Sequence, residues 1–388
     1  MQHNVMFTIL INCFYKGGQA SFIKILTDNL DKKTFSSYDI SGKEICNLEF
    51  KTKTFWNKIK RRYWLFTYFY RYCNRLKKLH ISLVHLNPSL DWNGLLRNYF
   101  FLKIAYKYNV PTLLFFHGWK ENVSKKILKN NYWKTFFSKR FIMADLIVVL
   151  ANQFKKELID IGIPRNKVIV LPTMTDTKEF IIKERSFKKP FKILYCGNMY
   201  YKKGVFELIN AISLILKKEQ EIKFYFMGEG PDLDRMKRMV KKLFINEHVI
   251  FLGFKLGKEK IKYFQKADLF AFPSYSEGCP LAVLEALSAG LPVVSTKVGG
   301  LAEILEDGEN GFFINSVPPD PNEIADKITK LISDPNLIKK ISKNNILKAK
   351  NNYDVKIITK KIENIYLKLI NDSKDVKCQN KIMIGRFF

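Results

Sequence analysis

Pro273-Ser-Tyr-Ser-Glu277-Gly278-Cys279-Pro280-Leu281-Ala282-Val-Leu-Glu285-Ala-Leu-Ser-Ala-Gly290-Leu-Pro292-Val-Val-Ser is the most informative run of this 388-residue chain. Pro280 suits the first position of a helix: its φ is already fixed, and the N–H it lacks is one that a helix start leaves unpaired. Leu281, Leu284 and Leu287 would then line one face, with the helix stopping at Gly290 and Pro292 beyond it. The N–H groups of Leu281 and Ala282 would point out of that helix start, a ready site for an anion. Glu277 lies in the loop before the helix and Glu285 about one and a half turns into it. Carboxylates so placed can face one ligand and accept from neighbouring hydroxyls, as on a sugar or a ribose.

Outward from this run, short apolar stretches alternate with helical spacing. Val5–Leu10 reads as a first buried strand, Gly17-Gly18 as a turn and Ser21–Leu30 as a helix, the opening of a doubly wound α/β domain. Strand-length runs follow at Ile81–Leu86, Thr112–Phe116, Leu146–Leu150 and Val168–Leu171, separated by helix-like segments such as Leu95–Tyr108 and Gln153–Ile161. The second half repeats the grammar. Phe191–Cys196, Ile222–Met227, Val249–Leu252, Leu269–Phe272 and Pro292–Ser295 read as strands, and Val205–Leu216 and Asp232–Lys242 as helices. Such alternation predicts parallel sheets covered on both faces. Pro172 to Pro190 is polar and weakly periodic and marks the boundary. Tyr353–Ile370 is a last amphipathic helix, and the chain beyond Asp372 is expected to fray despite its apolar end. Two similar halves of this size predict two Rossmann-like domains facing across a cleft, at the carboxyl ends of whose strands a ligand binds.

The formal net charge is +30, which points to an anionic partner, although part of the lysine excess fits an A/T-rich codon bias. Residues 1–190 carry 34 Lys and Arg against 13 Asp and Glu, a net of +21, and the rest of the chain +9. No acidic residue lies between Glu49 and Asp91. Residues 51–80 interleave basic and aromatic side chains and have two readings: an amphipathic segment lying on an anionic membrane leaflet, or a helix with its aromatics packed in the core. The six cysteines form no C-x-x-C pair and have no histidine at zinc spacing, which fits a reducing cytoplasm. No stretch of 18 apolar residues occurs, so no membrane span is expected.

The run from Glu277 closely resembles the signature of the group 1 glycosyltransferases, E-G-x-P-L-x-x-x-E-A-x-x-x-G-x-P-V-V. These are retaining nucleotide-sugar enzymes of GT-B fold. Weaker similarity covers most of the chain. Gly17-Gly18 sits where the family has a glycine-rich loop beside the diphosphate, and Phe116-His117-Gly118 matches the family's histidine after a strand. Gly197-Asn198-Met-Tyr-Tyr-Lys202-Lys203-Gly204 resembles G-R-x-x-x-x-K-G, Gly228-Glu-Gly230-Pro231 resembles G-x-G-P, and Gly253-Phe254 ends the segment that holds the base. Gly299-Gly300 with Glu303 matches a further loop. Two departures stand out: Asn198 replaces the family arginine, leaving Lys202 as a candidate substitute, and the interdomain motif reads Pro172-Thr-Met-Thr-Asp176.

The resemblance implies an acceptor-side domain over 1–175, a linker over 176–190 and a nucleotide-sugar-binding domain over 191–352. A helix over 353–371 would pack back towards the first domain, with a tail over 372–388. It implies a hexosyltransferase-type, retaining, metal-independent transfer from a nucleoside diphosphate sugar, with no cofactor, to an acceptor hydroxyl. The acceptor would be a glycan or a lipid-linked one in surface polysaccharide, lipopolysaccharide or glycolipid synthesis, with the protein cytoplasmic or peripheral on the inner face of the membrane. Glu277, Lys203 and His117 would be catalytic. Gly17, Gly18, Asn198, Lys202, Gly228, Gly230, Phe254, Gly278, Pro280, Leu281, Ala282 and Glu285 would bind the donor. His117 also reads as a core histidine, Cys279 as a small loop residue, and Asp268 and Glu303 as structural carboxylates. The alternatives are a GT-B nucleotide-sugar isomerase and a basic nucleic-acid-binding protein. No nucleic-acid-binding signature accompanies the charge.

Overall fold

The computed structural model describes residues 6–12, 18–39, 55–180 and 189–384. The chain divides into two units: Met1–Pro172 with Ile358–Phe388, and Thr173–Ile357. Each is built on a six-stranded sheet whose neighbouring strands are all parallel.

The strands of the first unit are β1 (Phe7–Asn12), β2 (Phe35–Asp39), β3 (Leu83–Leu86), β4 (Ser89–Leu90), β5 (Thr112–Phe115), β6 (Gly118–Trp119), β7 (Leu146–Val149) and β8 (Val168–Val170). The large sheet runs β2-β1-β3-β5-β7-β8, and β4 pairs with β6 beside it. The chain order reverses between β1 and β3. The second unit holds β9 (Phe191–Cys196), β10 (Ile222–Met227), β11 (Val249–Gly253), β12 (Leu269–Phe272), β13 (Val293–Thr296) and β14 (Gly311–Ile314), in the order β11-β10-β9-β12-β13-β14. Its reversal falls between β9 and β12, the arrangement of a dinucleotide-binding sheet. Strands β3, β5, β12, β13 and β14 are buried at every position, so they show no alternation of polar and apolar faces; β14 was not picked out in the sequence.

The last helix, Val355–Ile384, contributes to the first unit from Ile358 onward. Tyr366 is fully buried there, its ring edge-on to Phe35 at 5.8 Å, and its hydroxyl lies 2.6 Å from Nδ1 of buried His85. Glu363 Oε1 accepts the Asp31 N–H at 2.8 Å.

Several expectations shift. The first strand is Phe7–Asn12, starting later than Val5. The division falls at Pro172/Thr173 and not within 176–190. Thr175 donates to Tyr353 O and accepts from Val355 N–H, each at 3.0 Å, which fixes the segment to the second unit. Helix Thr177–Phe180 then buries Phe180 edge-on against Phe264. Residues 181–188 of the expected linker lie outside the described residues. The tail does not fray at Asp372: the helix continues to Ile384, and residues 385–388 lie outside the described ones.

Of the basic-aromatic stretch, 51–54 lie outside the described residues and Phe55–Lys78 is a helix. Over 66–78 it packs. Tyr68 and Tyr72 are buried, Phe69 stacks on Phe101 at 4.3 Å, and the Tyr72 hydroxyl donates to Phe101 O at 3.1 Å. Phe66 and Tyr70 stand outward, 71% and 65% exposed. Among the described residues no helix is long and apolar enough to cross a membrane.

Burial pushes the His85 imidazole down from 6.5 to about 3. The unfolded chain takes up a proton near pH 6.5 that the folded chain refuses until about pH 3, so stability falls as pH drops through that window. The expected loss from His85 is about 1.4 kcal/mol per pH unit below the unfolded value. Thermal unfolding followed from pH 7.5 to 5 should show a falling Tm, with a shallower fall in His85→Gln; equal slopes would refute the assignment.

Candidate active site

In the second unit the loops leaving β9 and β12 meet at the point where the strand order reverses. The β9 loop, Gly197 to Gly204, is tied down on both sides. Met199 N–H donates to Glu229 O at 2.9 Å and Asp232 N–H to Met199 O at 3.0 Å, while Lys202 O accepts the Tyr275 N–H at 2.9 Å. Glycine is required where these backbones touch. A Cβ on Gly230 would come within 2.3 Å of both Asn198 Oδ1 and Met199 O. One on Gly204, at φ +69°, would come within 1.8 Å of Pro273 O. Gly228 donates to Gly253 O at the end of β11 at 2.9 Å, and a Cβ on it would come within 2.0 Å of Gly197 O.

Lys203 reaches from the β9 loop to the β12 loop and donates to Glu277 Oε1. Its ammonium also lies 5.8 Å from the centre of the Phe272 ring. Behind Glu277 the chain turns through Gly278 and buried Cys279 into helix Leu281–Ser288. Pro280 is the N-cap, extended at φ −70° and ψ 120°, and the first helical residue is Leu281, so the helix starts one residue later than expected. No side chain caps this end, and Val283 and Leu284 N–H return to Pro280 O. The N–H groups of Leu281 and Ala282 are thereby left as the open donors of the first turn. Burial pushes the Cys279 thiol up to about 12, which keeps it protonated and unreactive.

Glu285 is 5% exposed, with Oε1 bound to Lys260 Nζ at 2.5 Å and Oε2 buried without a partner. Burial holds this carboxyl above the usual carboxylate range, with Lys260 pulling against it. Lys260, on helix Gly257–Lys266, is a site residue that the family signature does not name. Its only signal in the sequence is its place shortly after Phe254. Phe254 itself directly follows β11 as an exposed ring, 61% accessible. Asn198 is exposed, and Lys202 holds its ammonium 5.8 Å over the Tyr201 ring. Asp268 is structural, accepting the Lys192 N–H at 2.8 Å.

In the first unit His117 follows β5. Its Nε2–H donates to Asn87 Oδ1 at 2.9 Å, and its ring lies 4.4 Å from Phe115 and 4.5 Å from Phe22. Gln19 Nε2 donates to Asn87 O at 2.6 Å and completes the network. Neither Asn87 nor Gln19 was singled out by sequence reasoning. Burial, with His85 adding to it, pushes His117 down to about 3, so the imidazole is neutral with Nδ1 as a lone-pair acceptor. Gly18 opens helix Gly18–Asn29, and Gly17 lies outside the described residues. Lys203, Glu277, Lys260, Glu285 and Phe254 belong to one unit, and His117 to the other. Among the described residues no group of three or more His, Cys, Asp or Glu is placed to hold a metal ion.

Known proteins carry the same organisation. Residues 176–348 match the family described as Glycosyl transferases group 1, and residues 17–179 match Glycosyltransferase Family 4. The uncharacterized glycosyltransferase MJ1178 of Methanocaldococcus jannaschii is 29% identical over 274 residues, 70% of this chain and 71% of that one. The amylovoran biosynthesis glycosyltransferase AmsK of Erwinia amylovora is 26% identical over 204 residues, 51% of this chain and 49%, about half, of its own length. HepE of Anabaena, solved in complex with UDP, matches with a TM-score of 0.72 at 16% identity, covering 93% of this chain and 99% of that chain. Sucrose-phosphate synthase from Thermosynechococcus elongatus matches at 0.75 and 18% identity, covering 94% and 100%. Doubly wound sheets in two units, the signature from Glu277 to Val294, and the two family matches that together run from residue 17 to 348 place the chain in the group 1 glycosyltransferases of GT-B fold.

Proposed function

We propose that the protein moves a sugar from a nucleoside diphosphate sugar to an acceptor hydroxyl with retention and without a metal ion. The observation that carries this reading is the Lys203–Glu277 pair beside the uncapped start of helix Leu281–Ser288. It gathers cationic and N–H donors on one side and a sugar-facing carboxylate on the other, where the sheet order reverses. In such a transfer the sugar passes through an oxocarbenium-like state while negative charge grows on the leaving diphosphate. Lys203, with the N–H groups of Leu281 and Ala282, stabilises that charge and does the work a cation would otherwise do. Lys202 is the nearest substitute for the family arginine that Asn198 replaces. Gly228 and Gly230 let the β9 loop, which would meet the diphosphate, lie close against the loop after β10.

Glu277 accepts from hydroxyls of the transferred sugar. Glu285 takes the ribose: its buried, unpartnered Oε2 is the acceptor a hydroxyl would satisfy, while Lys260 holds the other oxygen. Phe254 stacks on the base. The HepE complexes hold UDP and UDP-glucose, which supports a donor of this class. His117 is a neutral acceptor and not a proton donor, so it receives a hydrogen bond from a sugar or acceptor hydroxyl. Products in surface polysaccharide synthesis are supported by the likeness to AmsK. The outward Phe66 and Tyr70 on a helix without acidic residues support work at an anionic membrane face.

A thermal-shift screen of UDP-, GDP-, ADP- and CMP-sugars should pick out the donor. With it, Lys203→Ala and Glu277→Ala should each lose about 10²-fold or more in kcat; turnover near wild type in both would sink the assignment. Proton coupling constants of the product should report the donor's own anomeric configuration, and chelator should leave the rate unchanged. Phe254→Ala should weaken nucleotide binding by about 1–3 kcal/mol with kcat largely kept. Titration of the nucleotide checks this, and unchanged affinity would remove the stacking role.

A further inference from the structure

Apart from the site above, the first unit contains an aromatic cavity of about 430 Å³ between helix Trp92–Lys107 and helix Asn131–Phe141. Trp92, Leu96, Phe100, Trp133 and Phe137 line it, with Arg140 at its edge. Leu96 is 56% and Phe100 46% exposed, so the fold leaves this apolar wall open to water. Open apolar concavities of this size are where ligands bind. Asn93, Tyr99, the two indole N–H groups and Arg140 are the polar groups of a lining that is otherwise apolar.

The rim is cationic. The Arg140 guanidinium lies 3.3 Å from the centre of the Phe136 ring, and Lys126 lies 5.6 Å from Trp92 and 5.9 Å from Trp133. Among the described residues neither forms an ion pair with a carboxylate. From Asn122 to Phe141 the chain carries six basic residues and no acidic one. An apolar interior under such a rim matches a hydrocarbon chain with an anionic head. The cavity also starts beside the segment that holds His117. Trp92 follows β4 after a single residue, β4 pairs with β6, and His117 N–H donates to Pro88 O at 3.2 Å.

We propose that this cavity takes the hydrocarbon chain of an anionic amphiphile, the lipid that carries the acceptor. This rests on the glycosyl-transfer reading for the acceptor's role and on the cavity alone for binding.

Dodecyl phosphate, kept below its micellar concentration, is the probe. Tryptophan emission is the readout, because Trp92 and Trp133 line the cavity with ring centres 4.8 Å apart. The wild-type chain should show a saturable change with dodecyl phosphate and none with inorganic phosphate. Leu96→Glu, at a position already open to solvent, should weaken that binding by about tenfold or more by setting a carboxylate against the chain. The thermal shift given by the donor nucleotide should stay the same. Non-saturable binding, or equal binding by Leu96→Glu, would overturn the proposal. So would a variant that binds dodecyl phosphate like the wild type but binds phosphatidylglycerol vesicles more weakly, since the occupant would then be the membrane surface. Binding is read without donor, so the two readings fail separately. Saturable binding by a protein that uses no nucleotide sugar would sink the transfer; donor turnover without saturable binding would sink the cavity's ligand.

Discussion

The ion pair between Lys203 and Glu277 joins the two loops that diverge from the centre of the second sheet, and the candidate site is arranged around it. Taking two charges partly out of water rarely stabilises a fold, because desolvation offsets most of the attraction. A second pair of the same kind, Lys260 with Glu285, stands in the same unit and leaves one carboxylate oxygen buried and unsatisfied. Two such pairs in one unit make little sense as devices of stability. They make sense as charges held in place for a ligand that supplies the missing partners.

What allows these groups to converge is the parallel sheet. With all strands parallel, every carboxyl end lies on the same edge, and a reversal of order sends adjacent loops to opposite faces. The crevice between β9 and β12 is a product of connectivity rather than of particular side chains. Holding it narrow does depend on residues. Backbone meets backbone at Gly204 and Gly230, and a side chain there would push the lysine loop off its neighbours.

Much of this was legible before any coordinates. The alternation of apolar runs with helical spacing identified the α/β class because doubly covered strands have no polar face to hide. The signature from Glu277 located the decisive helix because glycine and proline mark its ends by backbone geometry alone. Less legible were features that depend on distance in space. Lys260 meets Glu285 across separate helices, and Asn87 meets both His117 and Gln19 from distant parts of the chain. Nothing in local spacing distinguishes these from ordinary surface or core residues. The two halves also looked alike in pattern, yet their sheets begin differently, β2-β1-β3 in one and β11-β10-β9-β12 in the other. Strand order is set by which crossovers pack and leaves no mark on hydrophobic period. The tail beyond Asp372 was expected to fray despite its apolar end, whereas the helix carries on to Ile384.

The chain enters the second unit at Thr173 and returns to the first at Ile358, so the two units are not beads on a string. No single cut yields both intact. A fragment ending at Pro172 would keep its sheet but lose Tyr366, exposing His85, Phe35 and the surface they share to solvent. Isolating the first unit for binding work therefore calls for a graft, with the segment from Ile358 onward rejoined through a short bridge. The second unit is continuous from Thr173 to Ile357, so one excision would take it whole, at the cost of cutting helix Val355–Ile384 near its start.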